Sequence, residues 1–294
     1  MTKLLCSHEL LSEKSKETGI SFSGLLGGAV LEEIVRRIGA SEYKETLWLR
    51  NEQVLGEKQY KKKLLLSLEY AYAVSNPENG DGLSALADDL KQKVFEGKSD
   101  YGISFSQKSV ILKKCLSLSL SARLEDMRIP VSVKIYPVQK DRKHPGHNCF
   151  SCTLFPEVTA AYYSCPAEEI LAERYLEIVT RLELIRDMEA YYDVYRLLER
   201  ERVDARKVKE YVEEGCRDLL SGQKERLPDI IAGYKNYGFM KKKWKAFLRS
   251  INSSEPAWEM AVDRFSKFFG PIWQSILEDV VFFGDWMPEL NRFL

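Results

Sequence analysis

The sequence predicts an α+β protein in which a strand-rich N-terminal half precedes a helical C-terminal half. Between about residues 45 and 165, short apolar runs alternate with polar residues, as in half-buried strands. From residue 166 onward, apolar residues recur every three or four positions, which is the helical period. The change of period predicts two domains, residues 1–163 and 164–294. Because no low-complexity linker separates them, we expect the halves to pack together.

Within the N-terminal half, residues 1–38 have helical spacing and the following segments have strand character. We expect strands over residues 64–74, 110–121 and 131–138, and a short helix over residues 84–95. The first strand is bounded by the turn-forming sequence SNPENGDG.

The C-terminal half opens with a helix signal. Pro166 suits a first helical position, and Glu168 and Glu169 follow in the first turn, where carboxylates are favourable. Two apolar stripes then keep helical spacing: Leu171, Tyr175, Ile178 and Leu182, followed by Leu184, Met188, Tyr191, Tyr195 and Leu198.

Composition restricts the possible partners and the compartment. Lys and Arg together number 44, as do Asp and Glu, so only local basic patches could attract nucleic acid. The sequence contains no run of about eighteen apolar residues, so it predicts no membrane span. The N-terminus lacks a signal-peptide core, and the six cysteines are therefore expected to be reduced thiols in a cytoplasmic protein.

One short segment has the residue types of a zinc site. The sequence HPGHNCFSC places His144, His147, Cys149 and Cys152 within nine residues. Cys-x-x-Cys around a turn is a usual half-site for zinc, and two imidazoles could complete four ligands. The alternative is a polar loop followed by a strand with buried thiols.

Basic and aromatic residues form further clusters. Residues 61–63, 140–143 and 241–243 are rich in lysine and would either hold RNA or nucleotide phosphates, or form a solvated surface. The C-terminal aromatic residues are expected to form a helical core, or in part a partner-binding face. They are Trp244, Trp258, Phe265, Phe268, Phe269, Trp273, Phe282, Phe283 and Trp286.

Several segments together resemble a known family. They are GLLGGAVLEEIVRRI (residues 24–38), LLLSLEYAYA (64–73), CLSLSLSARLEDMRIPVSVKIYP (115–137), residues 164–198, and KKKWKAFLRS with FSKFFGPIWQSIL (within 241–277). In this order they resemble the AbiEii-type nucleotidyltransferase-fold toxins of bacterial toxin–antitoxin systems, over most of the chain.

The resemblance implies a nucleotidyltransferase-like mixed sheet domain that binds a nucleoside triphosphate with Mg²⁺. It implies transfer of a nucleotidyl group to tRNA, other RNA or protein, and a cognate antitoxin as partner. Carried over residue by residue, it assigns roles to seven positions. Gly27 and Gly28 would cradle phosphate from a turn or helix start, Ser67 and Glu69 would hold Mg²⁺, Lys134 would contact phosphate, Arg174 would contact the triphosphate, and Asp193 would orient the attacking hydroxyl.

This sequence departs from the family pattern. Ser67 stands where one of two acids is expected, Lys134 stands where the next acid is expected, and Arg174 stands where lysine is expected. Simpler interpretations remain: Glu69 could face outward from an edge strand, Lys134 could face solvent, and Asp193 could belong to a salt-bridged solvated helix face. Three functions therefore stay open: a nucleotidyltransferase, an inactive binding or regulatory module of the same fold, and an unrelated α+β protein with a zinc-stabilised loop.

Overall fold

The computed structural model describes residues 6–61, 66–75, 82–96, 101–112, 115–139, 145–186, 188–216, 227–251 and 253–294. The chain divides into two compact units, Met1–Cys165 and Pro166–Leu294. The first unit contains helices and a seven-stranded mixed sheet, and the second is mainly helical. The α+β prediction is therefore confirmed.

The N-terminal unit has a helical start followed by the strands of the large sheet. Its elements in chain order are α1 (His8–Thr18), α2 (Phe22–Gly39), β1 (Leu47–Leu49), α3 (Glu57–Tyr60), β2 (Ser67–Val74), α4 (Leu83–Asp89) continued by a π-helical segment (Leu90–Phe95), β3 (Ser104–Leu112), β4 (Cys115–Leu124), β5 (Met127–Gln139), β6 (Gly146–Ser151) and β7 (Thr159–Ser164).

Side-chain caps set the ends of the first helices. The Ser7 hydroxyl accepts a hydrogen bond from the Leu10 amide at the start of α1, and Gly19 ends this helix with a left-handed φ of 68°. The Ser21 hydroxyl then accepts from the Gly24 amide at the start of α2. The helices predicted within residues 1–38 are confirmed where the chain is described.

The sheet has the strand order β3-β4-β5-β2-β1-β7-β6. Strand β2 runs parallel to β5, and β1 runs parallel to β7, whereas the other pairs are antiparallel. The single strand predicted over residues 110–121 is wrong. The chain reverses there, so that Leu112 of β3 pairs with Cys115 of β4.

The two faces of the sheet differ in chemistry because side chains alternate along each strand. Leu116, Leu118 and Leu120 of β4 are buried and belong to the same core as α2 and α4. The opposite face carries the polar residues of the central strands. We call these residues the polar sheet face: Ser67 and Glu69 of β2, Ser117 and Ser119 of β4, and Ser132 and Lys134 of β5.

Among the described residues, no single helix is both long and apolar enough to cross a membrane. By length and composition, α1 and α2 reach that measure only as a pair, with a bend of 113° between them.

The C-terminal unit is built mainly from helices. Its elements in chain order are α5 (Ala167–Arg181), α6 (Glu189–Arg200), β8 (Val203–Asp204), α7 (Ala205–Cys216), α8 (Leu227–Gly233), α9 (Gly238–Ser250), α10 (Trp258–Leu277), β9 (Asp285–Met287) and β10 (Arg292–Phe293). Its three short strands form a separate sheet with the order β10-β9-β8.

The first helix of this unit begins one residue later than predicted. Pro166 is the N-cap of α5 rather than its first residue. The boundary between the two predicted apolar stripes also differs from the prediction. Leu182 has a positive φ of 48°, and Leu184 lies in a 3₁₀ turn with 78% of its surface exposed. The stripe that packs therefore starts at Met188.

Most of the C-terminal aromatic residues form the core of their unit, as predicted. The Tyr175 ring stacks on Phe269 with 4.4 Å between centroids. The indole nitrogens of Trp244 and Trp286 donate hydrogen bonds of 2.8 Å to the carbonyls of Pro256 and Leu198. Phe283 departs from the prediction, because 77% of its surface is exposed.

Candidate functional site

The candidate site lies where β2 and β5 run side by side. Because β2 and β5 are parallel and in register, Ser67 pairs with Ser132 and Glu69 pairs with Lys134. The two hydroxyl oxygens are 2.9 Å apart, and the Lys134 Nζ lies 3.5 Å from the Glu69 Oε1. The structure thus brings together three predicted residues, Ser67, Glu69 and Lys134, as a hydroxyl pair beside an ion pair.

The members of the ion pair differ in exposure. The Glu69 side chain is 8% exposed, whereas the Lys134 side chain is 41% exposed. Strand β2 is internal, with β5 on one side and β1 on the other, so the interpretation of Glu69 as an edge residue is wrong. The buried carboxylate holds a lysine whose ammonium remains accessible.

Two residues that sequence reasoning missed complete this region. Strand β1 ends at Leu49, and the Asn51 side chain continues its pairing with β2. The Asn51 Nδ2 donates to the Ser67 carbonyl at 3.0 Å, while the Asn51 Oδ1 accepts from the Glu69 amide at 2.8 Å. The Arg50 amide donates to the Glu69 carbonyl at 2.8 Å. These bonds fix the backbone on both sides of Glu69.

Arg50 adds a second cation near the pair. Its guanidinium carbon lies 5.2 Å from the centre of the Tyr136 ring. Tyr136 follows Lys134 by two residues on β5, so the two side chains share a face of the sheet. The run LWLRN, an apolar strand followed by a cation and an amide, is the signal that could have pointed to Arg50 and Asn51.

The polar sheet face offers a magnesium ion a single carboxylate. Mg²⁺ is held by carboxylate, phosphate and water oxygens. Here Glu69 is the one carboxylate of the polar sheet face, and the Lys134 ammonium is already 3.5 Å from it. In the described part of the chain, no three His, Cys, Asp or Glu side chains are grouped so as to hold a metal ion.

The glycine pair does not lie at a turn or helix start, and this expectation is wrong. Gly27 and Gly28 are buried in the interior of α2, where helical hydrogen bonding occupies backbone amides. A Cβ atom added to Gly28 would come within 2.5 Å of the Tyr60 ring. The close approach that requires glycine is therefore to a side chain of α3.

Arg174 and Asp193 meet inside the C-terminal unit. The Arg174 Nη2 lies 2.8 Å from the Asp193 Oδ2, and their side chains are 17% and 6% exposed. Arg174 also lies 3.3 Å from the Glu177 Oε2. The interpretation of Asp193 as part of a solvated helix face is wrong, because the residue is buried.

The three described residues of the predicted zinc site, His147, Cys149 and Cys152, do not surround one point. Residues 146–151 form β6, paired with β7, instead of a turn. Cys149 is exposed on this strand, whereas Cys152 is buried after its end. His147, Cys149 and Cys152 are described and belong to no metal-binding group, and His144 lies outside the described residues.

The basic clusters are only partly described. Residues 62–63 and 140–143 lie outside the described part of the chain. In the third cluster, the Lys241 Nζ lies 2.5 Å from the Glu259 Oε1, and the Lys243 Nζ donates to the carbonyls of Glu183 and Ile185. Both lysines thus make contacts within their own unit.

No model of a known protein family matches the chain, and no curated protein matches it. Two solved structures align with most of it. A candidate nucleotidyltransferase from H. pylori has 12% sequence identity and a TM-score of 0.47, over 88% of this chain and 97% of its own. The protein JHP933 from Helicobacter pylori has 11% identity and a TM-score of 0.42, over 89% of this chain and 94% of its own.

Proposed function

We propose that this protein is a nucleotidyltransferase-fold module that binds the phosphates of a nucleoside triphosphate through basic side chains and does not transfer the nucleotidyl group. The observation that supports this proposal is the ion pair between Glu69 and Lys134 on neighbouring parallel strands. The resemblance places acids at Ser67 and Lys134, and this chain has a hydroxyl and an ammonium there instead.

The chemistry of the site suits phosphate without a metal. The charge of a triphosphate needs a cation nearby, and a lysine ammonium is a compact point charge that contacts phosphate directly. The Lys134 side chain is accessible enough to do so, and its Nζ lies 3.5 Å from the Glu69 Oε1, which directs the ammonium towards this part of the sheet. The hydroxyls of Ser67 and Ser132 add hydrogen-bond donors on the same face of the sheet.

The same residues argue against transfer. Nucleotidyl transfer uses metal ions held by several carboxylates to position the triphosphate for in-line attack. A single carboxylate paired with an ammonium offers no such arrangement. The protein would therefore retain a nucleotide unchanged, as a binding or regulatory module does.

The test is isothermal titration of the full chain with each of the four nucleoside triphosphates, once with EDTA and once with Mg²⁺. We expect binding of at least one nucleotide in EDTA, and an affinity loss on the order of tenfold in Lys134→Gln, the typical effect of losing one charge-assisted contact. Lys235→Gln is the matched control, because Lys235 is 42% exposed and pairs with Asp263 at 2.9 Å. Binding that requires Mg²⁺, or equal affinities of the two variants, would contradict the proposal.

A transferring enzyme of the AbiEii type is the second candidate. It is favoured by the contact between Arg174 and Asp193, the two residues of the helical unit to which the resemblance assigns roles in transfer. In this case the acceptor would be RNA or protein, and a cognate antitoxin would bind the chain. Incubation with labelled nucleotide, Mg²⁺ and total tRNA distinguishes the candidates. Label transferred by the native chain and not by Glu69→Gln would replace the first proposal with the second.

A further inference from the structure

A separate concave site lies at the end of the sheet where β4 turns into β5. It encloses about 310 Å³ and is lined by Ser104, Phe105, Ser106, Ser121, Arg123 and Arg128. Five of these six side chains carry a hydrogen-bond donor, and none is acidic. A lining of this kind is suited to a small anion.

Two arginines are placed opposite each other in this cavity. Arg123 of β4 and Arg128 of β5 are paired in the antiparallel register, and both are exposed. Like charges on directly opposite residues repel each other, because their Cβ atoms lie only about 5 Å apart. An anion between the two guanidinium groups would turn this repulsion into attraction.

The turn holds one guanidinium in place. The Arg123 Nε donates a hydrogen bond of 3.0 Å to the Glu125 carbonyl. This bond uses one of the five N–H donors of the group, and the four donors of the terminal nitrogens can form the fork that matches phosphate oxygens. Ser106 pairs with Ser121, so their hydroxyls share the face of the arginines.

The turn between β4 and β5 carries two carboxylates, those of Glu125 and Asp126, and neither side chain lines the cavity of the arginines. Cys6 belongs to the core beneath the opposite face. Burial, and after it the negative charge of Glu125, raises the pKa of the Cys6 thiol to about 12. The Glu125 carboxylate thus interacts with a thiol of the core and lies outside the lining of the cavity.

We infer that this cavity is a phosphate-binding site. Its ligand is inorganic phosphate or the terminal phosphate of a small phosphomonoester, bound between Arg123 and Arg128. The site is distinct from the one at Lys134, since Lys134 follows Arg128 by six positions on β5, which is about 20 Å of strand. It goes beyond the proposed function and does not depend on it.

The experiment is isothermal titration of the full chain with inorganic phosphate at low ionic strength, in three variants besides the native protein. We expect one site, an affinity loss on the order of tenfold or more in R123Q/R128Q, and a smaller loss in R123K/R128K, which keeps the charge but not the fork. R206Q/K207Q, which removes two exposed charges at the start of α7, should bind phosphate as the native chain does. Thermal melts of each variant verify folding, and the lysine variant serves if R123Q/R128Q is unstable.

Two further arms separate this site from other possibilities. In the first, the titrations of R123Q/R128Q and R206Q/K207Q are repeated in the Lys134→Gln background, where their difference in phosphate affinity should persist, so that failure of the nucleotide proposal does not affect the result. A single-stranded RNA without terminal phosphate should not compete with phosphate. The inference is overturned if the native chain binds no phosphate, if R123Q/R128Q binds it as the control does, or if only the RNA backbone is bound.

Discussion

Lys134 lies in register with Glu69 on the neighbouring strand, and its Nζ is 3.5 Å from the Glu69 Oε1. Two acids at these positions would repel each other until a cation bound between them. The lysine provides that cation within the chain itself. The pair thus explains why the site can hold together without a metal ion.

This relationship leads to a gain-of-binding prediction for Lys134→Asp. The variant would place two carboxylates in register on β2 and β5, where oxygen ligands favour a hard divalent cation. We expect Mn²⁺ affinity, measured by titration or by the Mn²⁺ electron paramagnetic resonance signal, to rise by about tenfold or more over the native chain. Lys242→Asp makes the same charge change at an exposed position of α9. Equal Mn²⁺ affinities of the two variants would refute the explanation.

The pair of Arg174 and Asp193 predicts a loss of stability in Asp193→Asn. Removing one partner of a buried ion pair leaves the other charge uncompensated, at a cost of about 3–5 kcal/mol. Because Arg174 is 17% exposed and also contacts Glu177, we expect a smaller decrease of about 2–3 kcal/mol in the free energy of unfolding. Urea denaturation measures this decrease.

Two further variants distinguish the effect of a buried unpaired charge from the effect of altered packing. Glu177→Gln removes the more exposed partner of Arg174 and should cost less than about 1 kcal/mol. The double variant R174M/D193L removes both charges and should regain part of the loss. A double variant less stable than Asp193→Asn would show that the charge is not the cause.

Local sequence signals were sufficient for the helical start of each half and for one row of the site. The helices within residues 1–38 were recognisable from their apolar spacing, and the two-residue spacing of Ser67 and Glu69 placed both on one face of β2. The role of Lys134 in the pair depends on which strands become neighbours. Residues 67 and 132 are far apart in the chain, and only the parallel pairing of β2 with β5 brings them together.

The wrong predictions for the glycine pair and for the zinc site also arise because the local sequence does not show which segments become neighbours. A Gly-Gly sequence inside a helix and one before a helix look alike locally, and the difference here is the Tyr60 ring packed against Gly28. Cys149 and Cys152 have the spacing of a zinc half-site, but pairing with β7 extends this segment into a strand. Long-range partners decide such cases, and they are not visible in a short motif.

The packing of Gly28 predicts that Gly28→Ala is destabilising even though alanine favours helices. The added Cβ would lie 2.5 Å from the Tyr60 ring, which is fully buried and donates a hydrogen bond of 2.9 Å to Glu32. We expect a loss of about 1–3 kcal/mol from overpacking. Gly233→Ala is the control, because Gly233 at the end of α8 has a helical φ of −59° and open space at its Cβ position, and it should gain about 0.4–1 kcal/mol. Thermal or urea unfolding of both variants checks the difference, and a stabilised Gly28→Ala would contradict it.

Glu32 predicts a pH-dependent contribution to stability. Its side chain is buried in α2, accepts hydrogen bonds from Tyr60 and from the Thr153 amide and hydroxyl, and burial raises the pKa of its carboxyl group. When the pKa of an acid is raised on folding, the folded state binds the proton more tightly than the unfolded state. Stability therefore falls as the pH rises from the ordinary pKa of 4.5 through the raised pKa of Glu32.

Comparison with Glu32→Gln isolates this contribution. Glutamine cannot ionise, so the variant avoids the cost of a buried carboxylate at high pH, although its amide group is a poorer partner for the Thr153 amide. The free energy of unfolding is measured with urea at pH 4.5 and at pH 7. We expect Glu32→Gln to be less stable than the native chain at pH 4.5, and we expect this gap in stability to be smaller at pH 7. The exposed Glu289 provides the control, because Glu289→Gln removes a carboxylate outside any helix and without burial and should leave the gap constant. A gap in stability that stays constant or widens for Glu32→Gln would show that ionisation of Glu32 does not lower the stability of the native chain.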